Sequence, residues 1–261
     1  MQRPNRNFIY TLAESARKTV SEGYYRVDEV AASPRRSLAD AIRASTPIPI
    51  ITEVKFRSPA EGSLRDRDDV ADIAAKYERG GATGISVLTE PKHFEGSIEY
   101  LVQVKRAVSL PVLMKDIVVD PVQLEAARRI GADAVLLMAS IFAAGLSDLP
   151  LDAMIDLAHS KGLEVLLEAH TRDEYLTAIH SSADVVGINN RDVETLEVSL
   201  DTSRRLLREG KASKTVISES GLSKRSELLE LRSLGADGFL VGSSLMRSKN
   251  IEEAVRPLAG A

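Results

Sequence analysis

Most of the chain between Pro49 and Val241 repeats one pattern, in which a short run of Val, Ile and Leu ends at a polar residue. A continuous apolar run is typical of a strand buried on both faces, where an ionisable group is costly to bury. Polar residues at the ends of successive strands therefore predict a shared polar cavity. These strand-end residues are Glu53 and Lys55, Glu90, Lys115, Glu168, Asn189, Glu219 and the pair Gly242 and Ser243.

Eight strands are predicted from these runs, and the longer segments between them have helical periodicity. The predicted strands are Ile48–Lys55, Gly84–Thr89, Pro111–Lys115, Ala134–Met138, Glu164–Glu168, Val185–Asn189, Thr215–Glu219 and Gly238–Val241. The clearest helical segments are Val70–Glu78, Pro121–Ile130, Leu151–Ser160 and Lys224–Leu234. The alternation indicates a repeated βα unit.

A Gly-Ala-Asp or Gly-Ala-Thr phrase recurs at Gly81, Gly131 and Gly235, after a predicted helix and before a predicted strand. Glycine at that point can adopt the left-handed conformation that ends a helix. Eight βα units close naturally into a barrel, whereas an open doubly wound sheet usually has fewer strands and often a GxGxxG motif after the first. No such motif follows any predicted strand. We therefore predict an α/β fold, a (β/α)8 TIM barrel, with the doubly wound sheet as the alternative.

The residues ahead of the first strand predict an N-terminal helical extension. The segments Phe8–Glu22 and Ser37–Ala44 have helical character, and the first is too apolar to remain in solvent. A length of 261 residues with 44% apolar residues suits one barrel domain with a large core. We expect a single domain over residues 1–261, in which residues 1–47 pack on the barrel as extra helices.

Charge and composition argue against several classes of function. The formal net charge is −4 and no long basic stretch is present, which argues against a nucleic-acid partner but permits an anionic small molecule. The chain has no Cys, which excludes thiol catalysis and thiolate metal sites. The longest apolar stretch, around Ala134 to Leu146, is too short to span a bilayer. We expect a soluble, cytoplasmic monomer with no membrane partner.

The histidines and the acidic run before Val70 carry weaker signals. The four histidines lack HxxxH or HxH spacing, so we expect no metal site. Only His170 lies just past a strand end, and we interpret it as a hydrogen-bonded structural residue. The run from Asp66 to Asp69 lacks the ligand pattern of a calcium loop and is predicted to cap the helix beginning near Val70.

Two lysines and two glutamates at strand ends are candidates for acid–base chemistry. Glu53 and Lys55 are two residues apart on one strand, so their side chains emerge on the same face. Lys115 and Glu168 lie at the ends of two other strands. Burial near other cations can lower the pKa of a lysine, and burial can raise the pKa of a glutamate, so that both groups can exchange protons near neutral pH. The alternative reading is that these groups form buried ion pairs that only pack. Their joint occurrence at matching strand ends favours catalysis.

The loops after the last two strands indicate a phosphate site. Ser218-Glu-Ser-Gly follows the seventh strand and Val241-Gly-Ser-Ser follows the eighth, where barrels commonly hold a phosphate with backbone N–H groups and a short helix. The alternative is that Gly221 and Gly242 are ordinary turn residues.

Six phrases stand in order at the predicted strand ends: Glu53-Val-Lys-Phe-Arg-Ser-Pro, Ile85-Ser-Val-Leu-Thr-Glu, Pro111-Val-Leu-Met-Lys-Asp, Leu166-Leu-Glu-Ala-His, Gly187-Ile-Asn-Asn-Arg-Asp and Ile217-Ser-Glu-Ser-Gly. In these phrases the chain resembles the indole-3-glycerol-phosphate synthase family of tryptophan biosynthesis. The resemblance runs from Ile51 to about Met246, and an N-terminal extension is also a family feature.

The resemblance implies a carboxy-lyase that closes 1-(2-carboxyphenylamino)-1-deoxyribulose 5-phosphate to indole-3-glycerol phosphate, with loss of carbon dioxide and water. It implies no cofactor and no metal. Lys115 would protonate the ketone oxygen as the anilino ring attacks, with Glu168 as its proton-transfer partner. Lys55 would hold the substrate carboxylate and supply the proton for dehydration, with Glu53 as a nearby base or charge stabiliser. The division of acid and base roles among these four stays open.

The resemblance also implies binding positions. Asn189 and Glu219 would orient the substrate's hydroxyls and the lysines. The other implied substrate-binding and phosphate-binding residues are Ser58, Phe94, Arg191, Ser220, Gly221, Gly242 and Ser243. Phe56 stands where a basic residue is common, and Ile117 stands where an aromatic one is usual. The missing ring at position 117 would weaken stacking on the anthranilate ring by about 0.5–1.5 kcal/mol.

Two other functions fit parts of the pattern. A phosphoribosylanthranilate isomerase-like barrel would share the phosphate site but use a Cys and Asp pair, and the chain has no Cys. A non-catalytic barrel that binds a phosphometabolite would need only the phosphate loops. Two lysines and two glutamates on other strands argue against that second function.

Overall fold

A computed structural model describes residues 8–30, 34–66, 69–211 and 213–260, and in it eight parallel strands close into a barrel. The strands are β1 (Ile50–Val54), β2 (Gly84–Leu88), β3 (Val112–Lys115), β4 (Ala134–Met138), β5 (Glu164–Ala169), β6 (Val185–Asn189), β7 (Thr215–Glu219) and β8 (Gly238–Val241). Each strand pairs with its neighbours in the chain, and β8 pairs with β1. The predicted (β/α)8 barrel is confirmed, and the open doubly wound sheet is excluded.

Helices precede β1, separate the strands and follow β8. They are α1 (Phe8–Ser21), α2 (Leu38–Ala44), α3 (Val70–Arg79), α4 (Ile98–Ala107), α5 (Pro121–Arg129), α6 (Ala139–Ala143), α7 (Leu151–Ser160), α8 (Arg172–His180), α9 (Asp201–Leu207), α10 (Arg225–Ser233), α11 (Ser243–Met246) and α12 (Ile251–Ala259). The predicted capping of α3 is confirmed, because the Asp69 carboxylate accepts the N–H groups of Ala71 and Asp72. Every helix among the described residues is too short or too polar to cross a lipid bilayer.

The repeated Gly-Ala phrases form the turns predicted for them. Gly81, Gly131 and Gly235 have φ angles of +93°, +84° and +114°, which lie in the left-handed region that favours glycine. Each turn directs the chain from the end of a helix into the next parallel strand.

The side chain of the residue just before β2, β4, β6 and β8 accepts a backbone hydrogen bond from the strand that precedes it in the chain. The carboxylates of Asp133, Asp184 and Asp237 each accept a backbone N–H at 2.8 Å from the preceding strand, and the Thr83 hydroxyl accepts one at 3.3 Å. The donors are the N–H groups of Val112, Val165, Val216 and Ile50 respectively. These contacts, which we call the strand-start staples, satisfy strand N–H groups at the N-terminal face of the barrel.

Helix α2 lies across the N-terminal opening of the barrel. The Glu164 carboxylate, at the start of β5, accepts the N–H groups of Leu38 and Ala39 at 2.7 and 3.0 Å. Arg43 donates to the Thr215 hydroxyl at the start of β7. Leu38 also packs so closely on Gly84, at the start of β2, that a Cβ there would lie 2.8 Å from Leu38 Cδ1. Strands on both sides of the ring therefore hold α2 in place.

Helix α1 packs nearer the opposite, C-terminal end. Its residues Ile9, Leu12, Ala13 and Ala16 are buried in the same apolar cluster as Ile141 of α6 and Leu146 beyond it. Both helices of the N-terminal extension thus pack on the barrel, as the apolar character of the first predicted.

Candidate active site

A cavity of about 360 Å³ opens at the C-terminal ends of the strands. Twelve of the thirteen site residues expected from the sequence line it: Glu53, Lys55, Ser58, Phe94, Lys115, Glu168, Asn189, Arg191, Ser220, Gly221, Gly242 and Ser243. The remaining one, Glu219, is fully buried and reaches the cavity wall through its contact with Lys115. Residues spread over some 190 positions of sequence therefore converge on one volume, because parallel barrel strands all end at the same face.

Lys115 lies at the centre of a buried cluster of charges. Its Nζ is 2.9 Å from Glu219 Oε2, 3.4 Å from Glu53 Oε2 and 3.8 Å from Glu168 Oε2. Only 14% of the lysine side chain is exposed. Three carboxylates from three separate strands thus surround one ammonium group.

The pKa of Lys115 moves in the direction opposite to the sequence expectation. Burial by itself lowers the pKa of the ammonium, but the charges of Glu219, Glu53 and Glu168 outweigh burial and hold that pKa above its ordinary value. The expectation of neighbouring cations that lower the pKa was wrong for the substrate-free protein, because carboxylates and not cations are the nearest charges. Lys115 is therefore held in its protonated form.

Glu53 bridges the two lysines. Its Oε1 is 2.7 Å from Lys55 Nζ. The prediction that Glu53, in β1, and Lys55, just after it, point to the same face is therefore confirmed. Burial raises the pKa of the Glu53 carboxyl. The charges of Lys55 and Lys115 lower that pKa by more than burial raises it, and the result is a pKa of about 2. Glu53 is accordingly a permanent negative charge between two cations.

Glu219 behaves differently, although it contacts the same lysine. Complete burial raises its pKa to about 7, and the attraction of Lys115 only partly offsets the effects of burial and of the Glu168 charge. Its Oε1 has no hydrogen-bond partner among the described residues. The carboxylate fits only because the neighbouring strand has a glycine: a Cβ on Gly187 would lie 2.0 Å from Glu219 Oε1.

His170 lies on the cavity wall beside Glu168. Its Nε2 is 3.3 Å from Glu168 Oε1, and its Nδ1 is 3.4 Å from Glu174 Oε2. Burial lowers the pKa of the imidazole, but Glu174 and Glu168 more than reverse this and raise it. The sequence interpretation of His170 as a structural residue did not anticipate this contact with a candidate acid–base group.

Part of the cavity lining is apolar. Phe94 lies there as expected, and Phe8 and Leu12 of α1 join it together with Ile117 and Met138. Phe8 supplies a second aromatic ring to the cavity, although the sequence has Ile at position 117. Flat apolar walls of this kind suit an aromatic ring.

Phe56 does not take part in the site. Its side chain is buried on the other face of the chain from Lys55 and packs edge-on against Tyr100 with ring centroids 5.5 Å apart. The apolar residue at this position therefore belongs to the core around α4 and not to the substrate cavity.

The expected phosphate loops line one end of the cavity. Ser220 and Gly221 have φ angles of +68° and +75°, so both adopt the left-handed conformation at the turn after β7. Gly242 approaches Glu53 so closely that a Cβ there would lie 2.6 Å from Glu53 Oε1. Gly221 is thus required by the conformation of its turn, whereas Gly242 is required by the close approach of the Glu53 side chain.

Several cavity residues were not foreseen from the sequence. They are Phe8, Glu61, His170 and Arg247, and each reaches the site through a loop conformation or a packing contact that periodicity does not encode. Gly187, behind the cavity wall, was also not foreseen as the residue that makes room for Glu219. The one available signal was position, since His170 lies two residues past a predicted strand end and Glu61 two residues past the phrase that ends at Pro59.

Comparison with known proteins agrees with this geometry. A family model described as indole-3-glycerol phosphate synthase matches residues 10–258. A protein named indole-3-glycerol phosphate synthase from Methanopyrus kandleri is 45% identical over 87% of this chain and 88% of its own length. One of the same name from Aquifex aeolicus is 41% identical over 92% of this chain and 93% of its own.

Solved structures of lower identity share the fold. A thiamine phosphate pyrophosphorylase from Pyrococcus furiosus aligns with a TM-score of 0.61 at 19% identity, covering 86% of this chain and 96% of its own. A tryptophan synthase alpha-subunit from the same organism aligns with a TM-score of 0.60 at 15% identity, covering 82% and 98%. At these identities the likeness extends to the barrel architecture alone.

Proposed function

Because the chain belongs to the indole-3-glycerol phosphate synthase family, we propose that the charged cluster around Lys115 carries out the ring closure that this family catalyses. The enzyme is a carboxy-lyase of tryptophan biosynthesis. It converts 1-(2-carboxyphenylamino)-1-deoxyribulose 5-phosphate to indole-3-glycerol phosphate, carbon dioxide and water.

The position of Lys115 Nζ, within 4 Å of the Glu53, Glu168 and Glu219 carboxylates, is the observation that carries the proposal. When the carboxyl-bearing ring carbon attacks the ketone, the carbon–oxygen double bond opens and the oxygen gains negative charge. An ammonium held protonated in a cavity with little water stabilises that charge and then transfers its proton to the oxygen. Glu168, 3.8 Å from Lys115 Nζ, is placed to return a proton to the lysine.

Lys55 and Glu53 serve the later steps in this proposal. Lys55 attracts the substrate carboxylate until the carbon–carbon bond to it breaks and the ring regains aromaticity. The new hydroxyl then leaves as water, for which Lys55 supplies the proton, while ionised Glu53 stabilises the iminium charge that develops on the nitrogen. The methylene carbon beside the nitrogen then loses a proton to the neutral Lys55, which removes the iminium charge, completes the indole ring and restores the lysine. Glu53 suits this role because its low pKa keeps it charged throughout the neutral range.

The rest of the cavity fixes the substrate's position. We place the anthranilate ring against Phe94 and Phe8, and the phosphate in the loops of Ser220 to Gly221 and Gly242 to Ser243. Asn189 and Glu219 orient the hydroxyls and Lys115, and Arg191 and Ser58 lie at the phosphate end.

Substituting Lys115 tests the proposal. Lys115→Met is expected to retain the fold and lose about a hundredfold or more in turnover, because the proton donor is removed. Indole fluorescence measures the product directly. Lys76→Met, which removes an exposed lysine of α3, is the matched control and should keep wild-type activity. Substantial turnover by Lys115→Met would contradict the assigned acid.

We further propose that the enzyme is a cytoplasmic monomer without a nucleic-acid partner, built as one domain over residues 1–261. The burial of α1 and α2 against the barrel supports the single domain, and large exposed apolar side chains are few among the described residues. Light scattering should give a mass near 28.3 kDa, and a stable dimer mass would contradict the monomer.

A further inference from the structure

Glu61 lies at the phosphate end of the cavity, in the turn between Arg57–Ser58 and Gly62–Ser63, which pair as a short antiparallel ladder. The Ser243 hydroxyl donates to Glu61 Oε2 at 2.6 Å, and the Ser58 hydroxyl is 3.5 Å from the same oxygen. Two of the hydroxyl groups assigned above to the substrate's phosphate are therefore engaged by a carboxylate of the protein itself.

Two arginines face the same carboxylate. Arg191 Nη2 is 3.6 Å from Glu61 Oε2, and Arg247 Nη1 is 3.4 Å from Glu61 Oε1. Burial alone would raise the pKa of Glu61, but Ser243, Arg247 and Arg191 together lower it. The carboxylate is thus a charged anion held by two hydroxyls and two guanidinium groups.

We propose that the Glu61 carboxylate occupies the subsite of the substrate's phosphate, and that Arg247 becomes a further phosphate ligand once Glu61 leaves. The proposal rests on the proposed function, because it uses the phosphate loops assigned there. A phosphate monoester presents the same kind of acceptor oxygens as a carboxylate, with more charge and one more oxygen. The donors that hold Glu61 are therefore able to hold the phosphate.

Binding of the substrate is then an exchange of one anion for another. The phosphate and Glu61 cannot share these donors, because two like charges in contact repel each other. The substrate's apparent affinity is lowered by the fraction of protein in which Glu61 occupies the subsite. Departure of Glu61 also moves the short ladder that carries Ser58, so the exchange couples phosphate binding to the loop that begins next to Lys55.

Inorganic phosphate is the probe for this exchange. Calorimetric titration should show that Glu61→Gln binds phosphate about threefold to thirtyfold more tightly than the wild type, because the competing charge is gone. The KM for the substrate should fall in the same direction, while kcat changes little. Glu61→Ala serves as a second variant if the glutamine side chain keeps the same contacts.

Glu95→Gln is the matched control. It removes one negative charge beside the same loop, where the Glu95 carboxylate pairs with Arg57 at 2.8 Å, but not at the phosphate subsite. Phosphate affinity should stay at the wild-type value in this variant. An increase equal to that of Glu61→Gln would show that a looser loop is sufficient and would overturn the proposal.

Arg247→Gln completes the test. In the wild type this change removes a ligand of the phosphate and also a partner of its competitor, so the two effects partly cancel. In the Glu61→Gln background only the first effect remains, and the loss of phosphate affinity should be larger. Equal losses in the two backgrounds, or phosphate affinity in both Glu61→Gln and Glu61→Ala equal to that of the wild type, would overturn the proposal. The titration does not depend on turnover, whereas failure of the wild type to form indole-3-glycerol phosphate would contradict the proposed function instead.

Discussion

Glu219 and Gly187 lie on neighbouring strands and share one small volume of the barrel interior. The carboxylate of Glu219 contacts Lys115 at 2.9 Å only because position 187 has no side chain. A glycine in a strand is often assigned to a bulge or a turn, but Gly187 has an ordinary strand pairing with Glu168 and Ile217. The absence of a side chain at position 187 leaves space for the Glu219 carboxylate.

Gly187→Ala is expected to lower kcat, on the order of a hundredfold, because the new Cβ forces the Glu219 carboxylate away from Lys115. Steady-state kinetics with the phosphorylated substrate measures the effect. Gly84→Ala is the matched control, since its Cβ would meet Leu38 Cδ1 at 2.8 Å at the other end of the barrel. Both variants should lose stability, but only Gly187→Ala should lose kcat. Wild-type kcat in Gly187→Ala would mean that the position of Glu219 is unimportant for turnover.

The electrostatics of single residues were the least predictable part of the site. The sequence placed Lys115, Glu53, Glu168 and Glu219 at strand ends, and the structure brings all four together. The sign of the pKa shift at Lys115 depends on how many carboxylates lie within about 4 Å, where opposite charges act most strongly. That number is set by rotamers and by the gap at Gly187, neither of which a strand pattern specifies.

At the scale of elements, the strand-start staples hold neighbouring strands together at the N-terminal face. Asp133 is the most buried of the three aspartates: its side chain is fully inaccessible and also pairs with buried Lys105. Asp237 accepts the N–H of Val216 in the same way, but about a third of its side chain remains exposed.

Asp133→Ala is expected to destabilise the protein by about 3–5 kcal/mol, because it leaves the buried ammonium of Lys105 unpaired and the N–H of Val112 without an acceptor. Asp237→Ala, where water replaces the lost partners, should cost about 1 kcal/mol. Urea unfolding monitored by circular dichroism measures both free energies. Similar losses in the two variants would show that burial does not control the strength of a staple.

The elements themselves were predicted well from the sequence, and their mutual contacts were not. The limits of α7 agree with the prediction, and those of β1 differ by two residues at the start and one at the end, because apolar periodicity and glycine turns are local signals. Among the described residues, the staples occur before every second strand. Three of the four staple residues, Thr83, Asp133 and Asp237, are the last residues of the Gly-Ala-Thr and Gly-Ala-Asp phrases, so their positions had a local signal. The hydrogen bond that each makes to the preceding strand had none, because the partner is distant in sequence.

At the scale of the whole molecule, Asp116 joins the N-terminal extension to the barrel. Its carboxylate accepts hydrogen bonds from Tyr25, between α1 and α2, and from Thr89, after β2. Burial raises the pKa of Asp116 from 3.8 to about 6, although both hydroxyls act in the opposite direction. The folded protein therefore binds this proton more tightly than the unfolded chain does.

It follows that the contribution of Asp116 to stability is complete below pH 3.8 and is lost as the pH rises through about 6. Asp116→Asn should remove this dependence, so that the stability of the variant relative to wild type rises by roughly 2–3 kcal/mol between pH 4 and pH 7. Urea unfolding at several pH values measures the difference. Glu219 titrates in both proteins and cancels. A constant difference across this range would show that Asp116 does not titrate there.

The barrel and the location of its site follow from the sequence, but the position of α2 across the N-terminal opening does not. The prediction that residues 1–47 pack on the barrel gave no direction of approach. Leu38 can pack closely only because Gly84 begins β2, and Glu164 caps α2 from β5, so the arrangement depends on residues distant in sequence.

The packed side chains of the barrel interior, together with α2 across the N-terminal opening, also restrict how substrate and products exchange. One molecule enters and three leave: indole-3-glycerol phosphate, carbon dioxide and water. All three products therefore leave through the cavity mouth at the C-terminal face of the barrel, where the substrate also enters. Indole-3-glycerol phosphate therefore has to leave the cavity before the next substrate molecule can bind there.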